Sequence, residues 1–308
     1  MLYLDLDKFK QVNDTHGHAL GDRLLRAVAE RMRASLGEAG SVFRLSGDEF
    51  MATVPEAGPD GERARSLRQG DFRLEFQPQC RLCDGRITGV EALLRWRLPD
   101  GTVPASPERF IPVAEESGLI LQMGEWALGQ ACLEAARWPD PLQVAVNISP
   151  VQVMAQNLPD AVQRALQRSG LAPHRLELEI TESVFINETR GTVERLHALG
   201  RLGVQIALDD FGTGYSSLAY LRRFPFDTLK IDRAFISGKD GNNKDYTIAS
   251  MVIQLAGQLG LETIAEGIET MAQRDHLTNL GCRDGQGYLF ARPMTSDEFM
   301  AFLGRQPV

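Results

Sequence analysis

Residues 206–217 read IALDDFGTGYSS, an apolar run that ends at two adjacent aspartates and continues into glycine, tyrosine and serine. Neighbouring residues of a regular strand point to opposite faces, so Asp209 and Asp210 cannot serve one site while the chain stays extended. Gly212 and Gly214 give the backbone the freedom to turn directly after this pair. The stretch therefore predicts a strand whose end bends so that both carboxylates approach one point.

From residue 72 onward, short apolar runs alternate with longer segments of helical period. The helical segments are residues 107–138, 159–169, 187–202 and 245–259. The apolar runs are residues 72–77, 89–94, 142–148, 176–180, 204–208, 228–231, 262–265 and 287–290. A strand followed by a helix, repeated in this way, indicates a parallel sheet, and eight runs favour a closed (β/α)8 barrel of the TIM type in an α/β protein.

The first two apolar runs are joined differently from the others. Residues 74–94, LEFQPQCRLCDGRITGVEALL, leave room only for a turn between them. A parallel crossover needs roughly a dozen residues or more, so we expect an antiparallel hairpin here. The turn contains Cys80 and Cys83, but a single CxxC supplies only half a metal site, so these cysteines are interpreted as reduced thiols.

Composition and charge limit the class of protein. The chain has 308 residues, 43% hydrophobic and 24% charged, as in a soluble globular protein of one large or two ordinary domains. No run approaches about 18 apolar residues and the N-terminus lacks a secretory pattern, so we expect no membrane segment and a cytoplasmic location. The net charge of −8 argues against non-specific binding of nucleic acid duplexes, which needs a basic face.

Residues 1–57 differ from the rest of the chain. They contain a predicted strand in MLYLDLDKF, a helix over residues 21–36 and a hairpin in SVFRLSGDEFMATVP. Three strands and one helix bury only a modest core, so this segment is predicted to be incomplete or to lean on its neighbour. Residues 58–71, rich in charge and glycine, are predicted to be a linker to a second domain at residues 72–308.

Polar side chains stand at the C-terminal ends of seven consecutive apolar runs. A single acid at a strand end is equally well explained as a cap or a loop salt bridge. In a parallel barrel, however, these ends meet at one face, where the active sites of this architecture lie. The whole set therefore predicts one pocket, built from Glu91, Asn147, Glu179, Asp209, Asp210, Lys230, Glu266 and Gln286.

Five members of this set are carboxylates, and that number decides the chemistry that we expect. Packed together without cations, carboxylates repel each other and raise each other's pKa. All-oxygen ligands suit Mg²⁺ or Mn²⁺, and two ions about 3.5 to 4 Å apart activate water in phosphodiester cleavage. Adjacent Asp209 and Asp210 suit such a pair of ions, and Lys230 is placed to orient the water or to offset charge on phosphorus.

The motifs that carry these residues resemble the EAL family, bacterial phosphodiesterases that linearise cyclic di-GMP. The resemblance covers residues 72–303. It rests on VEALLRW (90–96), NIS (147–149), LEITES (178–183), DDFGTGYSS (209–217), LKID (229–232), AEGIET (265–270) and GQGYLF (285–290). The family fold is a (β/α) barrel with one antiparallel strand, which agrees with the predicted hairpin.

The resemblance also implies a role for each position of the pocket. The ligands of two Mg²⁺ or Mn²⁺ ions would be Glu91, Asn147, Glu179, Asp209 and Asp210, with Asp209 as the bridge. The catalytic side chains would be Asp210, Glu266 beside the second ion, and Lys230 in contact with the attacking water. The substrate would be contacted by Leu93, Arg95 and Gln286. Glu182 would anchor the DDFGTGYSS loop and Glu269 would support the site from behind.

The N-terminal segment resembles the diguanylate cyclase, or GGDEF, family in part. The matching positions are Asp5 on the first metal-binding strand, Asn13 as a guanine contact, Asp22, and Asp48 within RLSGDEF. Ser46 stands where the first glycine of the signature is usual. The family's later strands and helices have no counterpart between residues 55 and 72. We therefore predict a truncated cyclase domain that does not make cyclic di-GMP.

Two functions of different classes follow from the resemblance. The first is metal-dependent hydrolysis of cyclic di-GMP to linear 5′-pGpG, which the complete residue set favours. The second is a catalytically silent cyclic di-GMP receptor that acts through a protein partner. In either case the resemblance implies a homodimer, with its interface near the DDFGTGYSS loop and residues 236–250, ISGKDGNNKDYTIAS.

Overall fold

The structure is a computed structural model. It describes residues 2–5, 9, 13, 17–36, 41–47, 49–53, 72–97, 101, 103, 105–185, 190–212, 221, 223–236 and 243–305. The predicted linker, Asp48 and residues 213–217 of the DDFGTGYSS loop lie outside these ranges. The chain divides into two compact units, Met1–Arg73 with Arg95–Gln122, and Leu74–Leu94 with Met123–Val308. The domain limits expected from the sequence stay predictions.

The first unit contains a small antiparallel sheet with one helix. Its elements are β1 (Leu2–Asp5), α1 (His18–Leu36), β2 (Ser41–Ser46) and β3 (Glu49–Thr53), as predicted. The strand order is β1-β3-β2, so β3 is the central strand. The buried core around this sheet is Phe9, Leu25, Val42, Phe50 and Ala52. Among the described residues, five side chains make a modest core, which agrees with the expectation for so short a segment.

The same unit includes the helix α2 (Pro107–Glu116). Pro107 occupies its first turn, where a missing N–H costs nothing, and Ser106 stands at the N-cap. Arg109 of this helix forms an ion pair with Glu49 of β3. The ring of Phe110 packs at 5.9 Å from Phe72 and 6.0 Å from Trp96. Charge and aromatic contacts therefore both hold α2 within the first unit.

Eight strands form the closed barrel that the sequence predicts. They are β4 (Phe72–Arg81), β5 (Ile87–Trp96), β6 (Gln143–Ile148), β7 (Leu176–Thr181), β8 (Gln205–Asp209), β9 (Thr228–Ile231), β10 (Glu262–Ala265) and β11 (Asp284–Gln286). Their order around the barrel is β10-β11-β4-β5-β6-β7-β8-β9. β4 runs antiparallel to β11, whereas β5, β6, β7, β8 and β9 are parallel in succession. The predicted hairpin of β4 and β5 is confirmed.

Helices follow most of the parallel strands. They are α3 (Leu119–Ala135), α4 (Pro150–Met154), α5 (Leu158–Ser169), α6 (Arg190–Arg201), α7 (Asn243–Leu259), α8 (Met271–Asn279) and α9 (Ser296–Leu303). Short 3-10 turns occupy Pro173–Arg175, Glu182–Phe185 and Arg233–Phe235. Among the described helices, none has the length and the apolar character needed to cross a lipid bilayer.

The structure refines one predicted segment and corrects another. The helical segment 107–138 contains two helices, α2 and α3, because the chain turns at Gly118, whose φ of 74° is left-handed. The last strand is Asp284–Gln286 rather than residues 287–290. A Cβ at Gly287 would lie 2.1 Å from the backbone oxygen of Ile268, so the chain leaves the barrel at this glycine by packing on another backbone segment.

Strand β7 illustrates how the barrel holds polar groups. Its three apolar side chains, Leu176, Leu178 and Ile180, belong to the large core cluster of the protein. Glu177 and Glu179 alternate with them and are also buried. Because successive side chains of a strand point to opposite faces, the two glutamates share the face that looks into the barrel. The barrel interior is therefore charged along this strand.

Candidate active site

Lys230 lies at the centre of the carboxylates that the sequence places at the strand ends. Its side chain is fully buried, and Nζ lies 2.8 Å from Oε1 of Glu179 and 2.6 Å from Oε1 of Glu266. Oδ2 of Asp209 is 3.7 Å from the same nitrogen. The ends of β7, β8, β9 and β10 thus converge on one ammonium group. Burial opposes the charge, but these three carboxylates outweigh it and hold the pKa of Lys230 well above its usual value.

Glu91 occupies a different part of the cluster, where amide groups hold it. Nδ2 of Asn147 donates a hydrogen bond to its Oε1 at 2.7 Å, and Nε2 of Gln286 donates to its Oε2 at 2.5 Å. Gln286 also donates to Oε1 of Gln77 at 2.9 Å. Burial opposes ionisation, yet the charge of Lys230 and these donors lower the pKa of Glu91. Glu91 is therefore held as an oriented carboxylate.

Two acids beside Lys230, buried Glu179 and half-buried Glu266, resist ionisation. Burial raises the pKa of Glu179 well above its usual value, and the charges of Glu91 and Asp209 add to the effect of burial. Burial also raises the pKa of Glu266 to about 8, although Lys230 acts in the opposite direction. Glu179, Asp209 and Glu266 are therefore crowded around one ammonium group, and an additional cation would favour their ionised forms.

The backbone conformation of Asp210 ends the regular alternation by which neighbouring strand residues would point Asp209 and Asp210 to opposite faces. Its φ of 57° is left-handed, the only positive φ of a non-glycine residue in the described part of the chain. Its backbone N–H donates to Oδ1 of Asp209 at 2.8 Å, so the turn begins at the aspartate pair itself. Burial, with the charges of Asp209 and Asp232, raises the pKa of Asp210 to about 6. The two carboxylates therefore lie close enough at the end of β8 for the charge of Asp209 to raise the pKa of Asp210.

Glu182 connects the end of β7 to this turn. It is buried in the 3-10 turn that follows β7, and its Oε1 accepts a hydrogen bond from the backbone N–H of Gly212 at 3.1 Å. Gly212 has a φ of 95°, and a Cβ there would lie 3.1 Å from the ring of Phe235. The contact therefore holds the backbone of Gly212 against Glu182, and the role of Glu182 as anchor of the whole loop stays a prediction.

Comparison with known proteins agrees with this geometry. The family model of the EAL domain matches residues 61–293. The chain belongs to the EAL domain family. The model of the diguanylate cyclase GGDEF domain matches residues 1–70. The N-terminal unit of this EAL protein thus keeps a recognisable cyclase sequence although its sheet has only three described strands.

Several named relatives are similar to this EAL protein. MucR of Pseudomonas aeruginosa, a bifunctional diguanylate cyclase/cyclic di-GMP phosphodiesterase, is 35% identical over 387 residues, which cover 98% of this chain and 56% of MucR. The cyclic di-GMP phosphodiesterase PA2567 of the same species is 40% identical over 238 residues, 76% of this chain and 40% of PA2567. A solved structure of the MucR phosphodiesterase in complex with c-di-GMP has a TM-score of 0.71 and 42% identity, covering 77% of this chain and 99% of the other.

The chain spans about half the length of the relatives that it matches from end to end, 56% in the case of MucR. The alignment with MucR runs over 387 residues, more than the 308 of this chain, so it spans MucR positions that have no residue here. The alignment with PA2567 shows no such excess, with 238 residues over 76% of this chain.

The other site residues predicted for the EAL domain are Leu93, Arg95 and Glu269. Leu93 and Arg95 are half-buried on β5, beyond Glu91 on the same strand. Glu269 is exposed, and its backbone N–H donates to Oε1 of Gln273 at 2.9 Å. The structure therefore does not bring the Glu269 carboxylate into the cluster. The substrate contacts of Leu93 and Arg95 and the supporting role of Glu269 stay predictions.

The residues matched to the cyclase family lie in the first unit. Asp5 stands opposite Glu49 in the strand register of β1 and β3. Asn13 is half-buried, and a Cβ at Gly21 would lie 1.9 Å from its Oδ1, so the glycine makes room for the amide. Asp22 is exposed on α1. Their nucleotide-binding roles stay predictions.

The donor set suits a hard divalent cation. Within the described ranges, no three His, Cys, Asp or Glu side chains already stand together as a ligand set. The carboxylates instead close on the ammonium of Lys230. Their oxygen-only chemistry, and the crowding that raises the pKa of Glu179 and Glu266, are features that suit Mg²⁺ or Mn²⁺. The residues present therefore fit such an ion.

Four residues next to this cluster were missed by the sequence predictions. They are Gln77, Glu177, Thr228 and Asp232. Glu177 lies two residues before Glu179, and Thr228 lies two residues before Lys230. Residues two apart on a strand share a face, so strand alternation predicts that both lie on the inner face of the barrel. Gln77 has no such signal, because its contact with Gln286 joins residues 209 positions apart. Only closure of the barrel reveals it.

Proposed function

We propose that this chain hydrolyses cyclic di-GMP to linear 5′-pGpG with two Mg²⁺ or Mn²⁺ ions. The observation that carries the proposal is the convergence of Glu179, Asp209 and Glu266 on Lys230 where four barrel strands end. Family membership supports it, as do the relatives named cyclic di-GMP phosphodiesterases. The likeness to the MucR phosphodiesterase with bound c-di-GMP supports the choice of substrate.

The residues of the cluster divide the work as follows. Glu91, Asn147, Glu179, Asp209 and Asp210 would hold the two ions. Bound divalent ions supply the positive charge that acidifies water and balances the charge of the phosphodiester. Lys230 holds a proton on Nζ and donates it as a hydrogen bond to the attacking water. Glu266, whose Oε1 contacts Nζ of Lys230, would help to orient the same water.

The reaction is tested by incubating the purified chain with cyclic di-GMP and Mg²⁺ or Mn²⁺ and separating nucleotides by chromatography. We expect 5′-pGpG to accumulate, and Glu91→Ala to release none. Glu125→Ala is the matched control, because Glu125 is an exposed glutamate paired with Arg164 on the outer helices. Absence of 5′-pGpG above the Glu91→Ala background overturns the proposal.

A silent receptor is the alternative function, and binding measurements separate it from the enzyme. Calorimetry in EDTA that shows tight binding of unchanged cyclic di-GMP, together with no turnover in Mg²⁺, identifies a receptor. The complete carboxylate set is evidence against this alternative. A receptor that does not cleave its ligand does not require the three acids Glu179, Asp209 and Glu266 grouped around Lys230.

We also propose that the chain forms a homodimer through α7. Ile248, Met251 and Leu259 lie on one side of this helix at helical spacing, and their exposed fractions are 39%, 64% and 38%. Large exposed apolar side chains in one stripe are typical of interfaces. Light scattering tests the assembly, and we expect a dimer that Met251→Glu converts into a monomer. A wild-type monomer rejects this part of the proposal.

A further inference from the structure

A second polar contact lies inside the barrel beneath the Lys230 cluster. Oγ1 of Thr228 donates a hydrogen bond to Oε2 of Glu177 at 2.6 Å, and both residues are 3% exposed. Thr228 precedes Lys230 by two positions on β9, and Glu177 precedes Glu179 by two positions on β7. Strand alternation places both members of each strand on the same inner face.

This hydrogen bond passes through the barrel interior and joins two strands that are not adjacent in the sheet. β8 lies between β7 and β9 in the sheet, so the two side chains meet in the interior. Barrels of this type are filled by layers of side chains from alternate strands. The ion pair of Glu179 with Lys230 spans the same two strands one layer higher, at 2.8 Å. Two cross-barrel contacts are therefore stacked on one pair of strands.

The lower contact is unusual in composition. Such layers are commonly filled by Val, Ile or Leu, which pack without loss of hydration. A buried carboxyl group loses hydration free energy, and burial raises the pKa of Glu177. An aliphatic pair at these two positions would fill the layer as well, but it would have no directional contact. The hydrogen bond between Glu177 and Thr228 therefore fixes the position of β7 relative to β9.

We propose that Glu177 and Thr228 are positioning residues that hold Lys230 among Glu179, Asp209 and Glu266. The hydrogen bond between Thr228 and Glu177 fixes β9 relative to β7 two residues before Lys230. The backbone position and the side-chain direction of Lys230 are fixed as a result. Its Nζ then stays within reach of the three carboxylates and of the attacking water. This inference rests on the proposed hydrolysis for its kinetic consequence, whereas its geometric consequence is independent of activity.

The test compares three threonine variants. Thr228→Val keeps the shape but removes the hydroxyl, and Thr228→Ser keeps the hydroxyl. Thr263→Val is the matched control, because Thr263 is a buried threonine of β10 in register with Leu229, not with Lys230. We expect Thr228→Val to lower kcat by about tenfold with KM nearly unchanged, since Lys230 acts in the chemical step. We expect Thr228→Ser to retain most of the wild-type kcat and Thr263→Val to retain all of it.

Three kinetic outcomes overturn the inference. They are a kcat for Thr228→Val equal to that of Thr263→Val, a loss confined to KM, and a failure of Thr228→Ser to restore kcat. A wild-type chain without turnover refutes the proposed function instead, and the geometric test then decides about the pair. Crystal structures of the Thr228→Val and Thr263→Val variants are expected to show Nζ displaced from Glu179 in the first only. An unmoved lysine in the first variant rejects the inference.

Discussion

The backbone N–H of Gly212 donates to Oε1 of Glu182 at 3.1 Å, and this bond ties the turn after β8 to the turn after β7. Because the acceptor is a buried side chain, its removal leaves the loop without that anchor. We expect Glu182→Ala to lower kcat at least about tenfold, in the range of a misplaced catalytic group. Glu182→Gln keeps an oxygen acceptor and is expected to lose less. Steady-state kinetics with cyclic di-GMP measures both, and equal losses would contradict the anchoring role.

Asp209→Asn separates the charge of this residue from its structural role. The asparagine Oδ1 still accepts the backbone N–H of Asp210, so we expect the left-handed turn and the melting temperature to be preserved. The substitution, however, removes a negatively charged side chain that would hold the proposed ions. We therefore expect no detectable hydrolysis, with a thermal unfolding midpoint close to that of the wild type. Retained turnover would show that the charge is dispensable.

The raised pKa of Glu266 predicts how stability depends on pH in metal-free protein. The folded state holds the proton up to about pH 8, whereas the unfolded carboxyl loses it near pH 4. Between these values the folded state binds more protons, so the free energy of unfolding falls as the pH rises. Glu266→Gln removes this contribution, and urea unfolding in EDTA across this window is expected to show a weaker decline. Identical pH profiles would contradict the shift.

The four cysteines are expected to differ sharply in reactivity. Burial raises the pKa of the Cys80 and Cys132 thiols to about 12 and that of Cys282 to about 11, whereas Cys83 is exposed in the hairpin turn. Thiolate is the reactive form, so the buried three react slowly at neutral pH. A disulfide reagent is expected to label one thiol per native chain and four after denaturation. Rapid labelling of the Cys83→Ser variant would contradict this.

Much of the fold is encoded in local patterns of the sequence. Alternation of short apolar runs with helical segments predicts eight barrel strands, and the short connection in residues 74–94 predicts the antiparallel hairpin. The last strand was misplaced because the decisive contact, Gly287 against Ile268, joins segments that the pattern does not relate. Local periodicity therefore gives the architecture, while strand ends depend on long-range packing.

The candidate site divides in the same way. The convergence of polar strand ends follows from the geometry of any parallel barrel. The central position of Lys230 does not, because distances between strand ends depend on how the barrel closes. The bend after Asp209 was expected from the glycines, but Asp210 itself takes the left-handed conformation. The left-handed backbone of Asp210 is a strained conformation, and the sequence pattern does not reveal that this residue adopts it.

The ammonium of Lys230 would also compete with a divalent ion for the same carboxylate oxygens. Glu179, Asp209 and Glu266 already lie near one positive charge. The net affinity for an ion would therefore be the difference between two attractions. Without an ion, these carboxylates keep a cationic partner within the chain itself, so their charge is still partly balanced.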